Sequence, residues 1–206
     1  MRDEKPFTST APRDESWRPL FDGKHVGRYQ LLWKSNNWIH YGEWLAAPRD
    51  PACFVGEKIL IRKITGKTLL ATYVPDTSYC NTLLFVLKRK EATYSYKSIL
   101  AVLSSSLIGW YFRKKLQIGE NDTFPQIMIR DILQFPFPRI EAESQAEIDK
   151  LVEMMLRLHQ ALDAASLPEK AAQLKHRINA TDRRIDELVS RLYGLTKEEI
   201  QRIGEG

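Results

Sequence analysis

The sequence predicts an α+β fold: a mostly antiparallel, twisted sheet packed on a central buried helix, followed by a C-terminal heptad helical hairpin. Three observations predict it. Residues 58–87 hold short runs rich in β-branched and aromatic side chains, separated by glycine, proline and asparagine turn signals. Residues 99–115 are apolar nearly all round at helical spacing, as in a helix covered on every side. Beyond residue 140, apolar residues recur in steps of three and four, the pattern of helices with coiled-coil seams.

Residues 1–16 are polar, carry two prolines and lack periodicity, so they read as a flexible arm or linker. Trp17 opens the folded part. Residues 20–44 interleave Phe21, Tyr29, Trp33, Trp38, Tyr41 and Trp44 with basic and amide side chains, and Trp38 to Tyr41 read as a short strand ended by Gly42. The runs 58–64, 69–74 and 81–87 follow, bounded by Gly56, Gly66, Pro75 and the basic cluster Lys88-Arg89-Lys90. Their spacing predicts an antiparallel meander with one buried face. Ser98 is the expected cap of the central helix, and Ser104, Ser105 and Ser106 within it let a neighbour approach closely. Residues 124–129 resume extended character. Pro136 and Pro138 then close the domain, because alternating prolines exclude helix and interior strand.

In the remainder, Ile148, Leu151, Met155, Leu158 and Leu162 form one seam. Leu174, Ile178, Thr181, Ile185, Leu188 and Leu192 form the other, and Ser166-Leu167-Pro168 joins the two helices. Gly194 supplies the stop. Thr196 and Glu199 form a capping box for a last short helix over 197–203. The chain divides accordingly into the arm, residues 1–16; a sheet-and-helix domain, residues 17–140; and the hairpin with its terminal helix, residues 141–206.

With 43% hydrophobic and 28% charged residues over 206 positions, the composition is globular rather than disordered. A chain of this size buries enough surface to fold without a disulfide or metal. Cys53 and Cys80 lack CxxC spacing and read as thiols in a reducing compartment. The charged N-terminus has no signal-peptide core, and the longest apolar stretch falls short of the ~20 residues of a membrane span. A cytoplasmic protein without a membrane partner is expected. The net charge of +5 conceals a division: residues 1–140 hold 21 basic and 13 acidic side chains, residues 141–206 hold 10 and 13. The first part therefore suits a polyanionic partner.

Catalytic motifs are absent. Gly66-Lys67-Thr68 ends like a phosphate-binding loop, but Ile61 stands where its first glycine belongs. No glycine-rich nucleotide loop follows a strand, and no Asn/Asp-Pro-Pro-aromatic tetrapeptide exists to hold a base for methyl transfer. Asp22-Gly23-Lys24 has the Asp-x-Lys spacing of a metal nuclease without its strand-borne carboxylate. The histidines His25, His40, His159 and His176 are scattered without metal-ligand spacing.

Several segments, taken in order, resemble one family. Arg18-Pro19-Leu20-Phe21-Asp22-Gly23-Lys24 through Arg28-Tyr29 resembles the opening of TaqI-like C-terminal specificity domains. Trp38-Ile39-His40-Tyr41-Gly42-Glu43-Trp44 resembles their aromatic strand. Phe54 to Arg62 and Leu70-Ala71-Thr72-Tyr73 resemble the next two strands. Ser98 to Arg113 is similar to the family helix, with Ser104 replacing its usual asparagine. Phe124-Pro125-Gln126-Ile127 and Leu133-Gln134-Phe135-Pro136-Phe137-Pro138 resemble its close. Residues 182–200 resemble the end of large single-chain restriction–modification enzymes.

The resemblance implies that residues 17–140 are a target recognition domain for double-stranded DNA, working for an adenine-specific methyltransferase domain or subunit that is sometimes fused to a nuclease. No cofactor is expected in this chain. S-adenosylmethionine, with magnesium as a further candidate, belongs by this reading to catalytic domains outside it.

Such a domain neutralises phosphates with Lys and Arg and reads base edges with polar side chains. Lys24, Arg28, Lys34, Arg62, Lys63 and Lys67 are the expected phosphate contacts. Asn36, Asn37 and Arg49 are the candidates for base reading, since Asn pairs with adenine and Arg with guanine in bidentate fashion. Behind these stand Lys88-Arg89-Lys90, which also suits a guarded strand end, and Arg113-Lys114-Lys115, which also suits a helix C-terminus. The hairpin reads as a spacer or docking arm toward the catalytic domain or a second copy of the chain. Two alternatives stand beside this reading: a small nuclease, and a protein-interaction adaptor whose working part is the hairpin.

Overall fold

The structure is a computed structural model and describes residues 7–64, 66–115 and 126–205. Its centre is a three-stranded antiparallel sheet of β6 (Lys58–Arg62), β7 (Ala71–Val74) and β9 (Leu84–Leu87). The order is β7-β6-β9, so β6 is central and the strands do not follow one another as in a meander. The burial pattern explains the order. Residues 58–61 are buried without alternation, which requires cover on both faces. Ile59 and Ile61 face the helices, while Leu60 faces a second core of Phe21, Val26, Phe54, Val74, Cys80 and Leu84.

That second core lies under the N-terminal strands. β2 (Arg18–Phe21) pairs antiparallel with β5 (Trp38–Ile39) and parallel with β8 (Tyr79–Cys80). Part of the stretch read as an arm is folded onto this sheet: β1 (Thr8–Ser9) pairs with β5 at its edge. Between β2 and β5, a hairpin of β3 (Val26–Gly27) and β4 (Gln30–Leu31) turns through Tyr29 at φ +58°.

The central helix is two helices, α1 (Tyr96–Ser104) and α2 (Ser106–Lys115). The serine run causes the break. Ser105 is extended at ψ 153°, its hydroxyl donates to the Val102 carbonyl at 2.7 Å and accepts from the Ile108 amide at 3.2 Å. It therefore ends one helix and caps the next, as serine does when its side chain competes with the backbone ladder. The cap of α1 is Ser95, which accepts from the Ser98 amide at 2.9 Å; Ser98 itself donates to Asp149 at 2.7 Å.

Residues 126–129 are extended only in part. Gln126 bridges Ile64 and a one-turn helix, α3 (Ile129–Ile132), begins at once. Positions 124 and 125 of the expected extended segment lie outside the described residues.

The hairpin forms as the periodicity predicts, from α4 (Ala142–Asp163) and α5 (Pro168–Leu192), with Gly194 at φ +65° and α6 (Lys197–Glu205) after it. The capping box closes reciprocally: the Thr196 amide donates to Glu199 at 2.8 Å and the Glu199 amide to the Thr196 hydroxyl at 3.3 Å. The buried stripe is wider than a two-helix seam. Val152 and Val189, outside the expected positions, are fully buried. The reason is that α4 and α5 also pack on α1, and one core holds Leu100 and Leu103 with Ile148, Val152, Met155, Ile185 and Val189. No described helix is long and apolar enough to cross a membrane.

Candidate nucleic-acid interface

One edge of the molecule gathers cations from five separate segments. It starts at a 3-10 turn, Gly23–His25, that carries exposed Lys24. Buried His25 anchors the turn by accepting the Asp22 amide on Nδ1 at 2.9 Å, and burial holds its pKa below the usual imidazole value. The Leu32 amide donates to the His25 carbonyl at 2.8 Å. This draws in the loop with Lys34, Ser35 and Asn36, all exposed, where Ser35 turns the chain at φ +57°.

On its other side the turn meets residues 81–83. The Asn81 amide donates to Phe21 O at 3.0 Å, and a Cβ built on Gly23 would lie 3.3 Å from the Leu83 Cβ and 3.9 Å from Arg62 Nε. The Lys63 amide donates to Leu83 O at 3.0 Å, and the Ile127 amide to Lys63 O at 2.8 Å. Lys63 Nζ sits 5.0 Å over the Phe85 ring.

The edge continues to Lys67, whose carbonyl accepts from Arg113 on α2. Lys114 and Lys115 follow, Lys115 reaching Gln134. Among the described residues, the segments that build the edge contribute Asp22 and Asp131 as carboxylates. Asp131 is buried and accepts the Met128 amide at 2.9 Å. Lys24, Lys34 and Lys67 have no ion-pair partner among the described residues. A cationic edge of this kind attracts a polyanion.

Gly109 fixes where Lys67 stands. A Cβ there would fall 2.5 Å from the Lys67 carbonyl oxygen and 2.9 Å from the Thr68 Cα, so α2 and the 66–68 turn touch backbone to backbone. Gly109→Ala should therefore cost about 1–3 kcal/mol by overpacking and displace Lys67. A urea titration reads the cost, and an unshifted midpoint would contradict the contact.

Of the residues expected to touch DNA, the edge unites Lys24, Lys34, Asn36, Arg62, Lys63 and Lys67. Three others lie elsewhere. Arg28 turns inward: its Nε donates to Ser104 O at 2.7 Å and its Nη1 binds Asp182, with Asp186 at 3.9 Å. Burial opposes its charge, yet Tyr29, Asp182 and Asp186 outweigh that and leave its pKa raised. Asn37 is a cross-link between strands, its side-chain amide donating to Leu20 O at 2.9 Å and its carbonyl accepting from the Leu20 amide at 2.9 Å and Trp33 Nε1 at 3.2 Å. Arg49 donates to Cys80 O at 2.5 Å and covers the Phe54 ring at 4.7 Å.

The second basic cluster is also engaged internally. Lys88 donates to Val55 O at 2.5 Å, and Arg89 donates to Tyr94 O at 2.7 Å and stacks on Tyr96 at 4.3 Å. Near it, fully buried Lys58 donates to the carbonyls of Phe54, Gly56 and Asp76, and burial lowers its pKa to about 8. The residues that sequence reasoning passed over are Thr82, Leu83 and Gly109. Leu83 looked like one more strand residue, and nothing in its neighbours marks the turn except Asn81.

Residues 18–137 match the TaqI-like C-terminal specificity domain. The chain belongs to that family. No curated protein matches the chain. Among solved structures, this specificity domain is similar to one described as the Type IIL restriction-modification enzyme MmeI in complex with DNA, with a TM-score of 0.62 and 12% identity. The match covers 92% of this chain and 30% of that one. At such identity the likeness is one of fold, and it extends past the family match into the helical hairpin. The specificity domain thus spans about a third of the length of the enzyme it resembles.

Proposed function

We propose that this specificity domain selects a target sequence in double-stranded DNA for a restriction–modification enzyme, and that an adenine-specific methyltransferase module elsewhere performs the chemistry with S-adenosylmethionine. The observation that carries the reading is the cationic edge that gathers Lys34, Lys24, Arg62, Lys63, Lys67 and Lys115 from separate segments, on a specificity-domain fold. The edge supplies phosphate contacts, which give affinity and register, while side chains between the cations meet base edges. The free thiols of Cys53 and Cys80 suit a reducing cytoplasm.

Fluorescence anisotropy with short labelled duplexes of mixed sequence, at about 50 mM and 200 mM salt, tests the proposal. Affinity should fall steeply with salt. The variant Lys24→Ala/Lys63→Ala/Lys67→Ala should flatten the log–log slope by about 2.7, each lost phosphate contact removing ~0.9. Salt-insensitive binding, or a slope unchanged in the triple variant, would remove the edge from the DNA interface. A nuclease reading would instead show metal-dependent nicking of plasmid by the chain alone.

A further inference from the structure

We infer that the turn Asn81-Thr82-Leu83 is the base-reading element of the edge, and that Leu83 packs against the C5-methyl group of a thymine in the target. The inference rests on the DNA reading proposed above and deepens it by naming the contact that distinguishes one sequence from another.

The turn is held through the backbone of Asn81 and Leu83, on either side of Thr82. Asn81 N donates to Phe21 O at 3.0 Å, Leu83 N to the Asn81 side-chain oxygen at 3.0 Å, Leu84 N to Asn81 O at 3.3 Å, and Leu83 O accepts from Lys63 N at 3.0 Å. These bonds tie it to the ends of both β2 and β6. A side-chain-to-backbone bond across two residues is the Asx-turn geometry, and it fixes the direction in which Thr82 and Leu83 leave the protein. Both are exposed, Leu83 by 41%.

A single exposed leucine is ordinary on a protein surface. Here its position is not. Lys24 follows directly on the Gly23 against which Leu83 packs, Arg62 Nε lies beside the same glycine, and the main-chain amide of Lys63 donates to the Leu83 carbonyl while its ammonium lies over the Phe85 ring. With Lys24 and Arg62 on phosphates, the exposed residue of the turn beside them would face the groove. Gly23 contributes as well: a side chain there would meet the Leu83 Cβ at 3.3 Å, and its absence lets the leucine sit low against the 3-10 turn. Thymine offers the apolar mark in the major groove, its C5-methyl group, and apolar side chains read it by contact. The Thr82 hydroxyl, donor and acceptor together, suits the neighbouring base edge.

The experiment is selection from a randomised duplex library with the full chain and with Leu83→Ala and Thr82→Val, the folds of the variants being checked by circular dichroism. Wild type should enrich a motif containing a T·A pair, and Leu83→Ala should lose information at that pair while keeping the rest. On the best wild-type duplex, replacing that thymine by uracil should weaken wild-type binding about fourfold, the worth of one buried methyl group, and leave Leu83→Ala binding unaffected. An unchanged motif, no motif at all, or an equal uracil penalty in both proteins would overturn the assignment. Those outcomes leave salt-sensitive duplex binding intact. Absence of any salt-sensitive binding by wild type would instead fell the DNA reading itself, and this inference with it.

Discussion

Arg28→Met should lower the unfolding free energy by about 3 kcal/mol, near the lower end of the cost of breaking a buried ion pair, although the side chain replaced looks like a surface cation in the sequence. Arg28 joins three elements: the β3–β4 turn that carries it, the Ser104 carbonyl at the end of α1, and Asp182 and Asp186 on α5. The side chains of Arg28, Asp182 and Asp186 are only 21%, 26% and 25% exposed. Removing the guanidinium leaves two partly buried carboxylates facing one another without a cation.

Asp186 then makes stability depend on pH. Burial already raises the Asp186 pKa, opposed by hydrogen bonds from Ser106 and by the Arg28 charge. Without Arg28 it rises further above its unfolded value. A carboxyl whose folded pKa exceeds its unfolded pKa costs stability while ionised, and that cost disappears as pH falls through the folded value. The deficit of Arg28→Met relative to wild type should therefore be largest at pH ~7 and shrink toward pH ~4. Urea midpoints at both values measure it. Arg28→Lys, which keeps the charge but loses the fork, should fall between the two proteins. A deficit below ~1 kcal/mol at neutral pH would mean that the network contributes no more than a surface pair.

Arg28 also shows where the sequence stops being informative. Its neighbours Lys24 and Lys34 look the same on paper, cations set in the same aromatic-rich stretch. What separates them is tertiary: Tyr29 holds its left-handed turn by donating a hydrogen bond from its main-chain amide to Ala71 O at 2.8 Å, and this points Arg28 at α5, 154 residues further along the chain. No local pattern encodes that distance. Asn37 and Arg49 differ from Asn36 for the same reason, since each faces a carbonyl, Leu20 or Cys80, contributed by another strand.

Periodic features were legible because periodicity is local. Ile148, Met155 and Leu158 on α4 and Leu174, Thr181, Ile185 and Leu188 on α5 are buried where the heptads place them. The Thr196–Glu199 box and the Gly194 stop depend on a few adjacent residues and form as written. The helix break at Ser105 had a signal in its three serines. Three serines are equally compatible with a tight helix contact, and the outcome depends on Asp186, which accepts from the Ser106 amide at 3.0 Å and hydroxyl at 2.6 Å. The unbroken apolar run Ile59-Leu60-Ile61 contained the evidence that β6 is covered on both faces, but strand order follows from which neighbours cover it.

A chain ending at Ile140 should not fold. The hairpin seam faces α1, and truncation would strip Ile148, Val152, Met155, Ile185, Leu188 and Val189 from the core shared with Leu100 and Leu103. At ~1.5–3 kcal/mol for each buried side chain, the loss is on the order of 10 kcal/mol, comparable with the ~5–15 kcal/mol that stabilises a whole domain. It also removes the acceptors Asp149, Asp182 and Asp186 from Ser98, Arg28 and Ser106. The truncated chain should show no cooperative urea transition and should bind an apolar dye, and residues 141–206 supplied as a separate polypeptide should restore the transition. A cooperative, well-dispersed fold for residues 1–140 alone would show that the sheet and α1 are self-sufficient. The physical consequence concerns the hairpin as a docking arm: loss of DNA binding on truncation would report unfolding of the edge that carries Lys24 and Lys67. The arm is instead separable at exposed side chains of its outer surface, such as the Arg184–Glu147 pair at 2.8 Å, whose replacement leaves the shared core in place while altering what a partner meets.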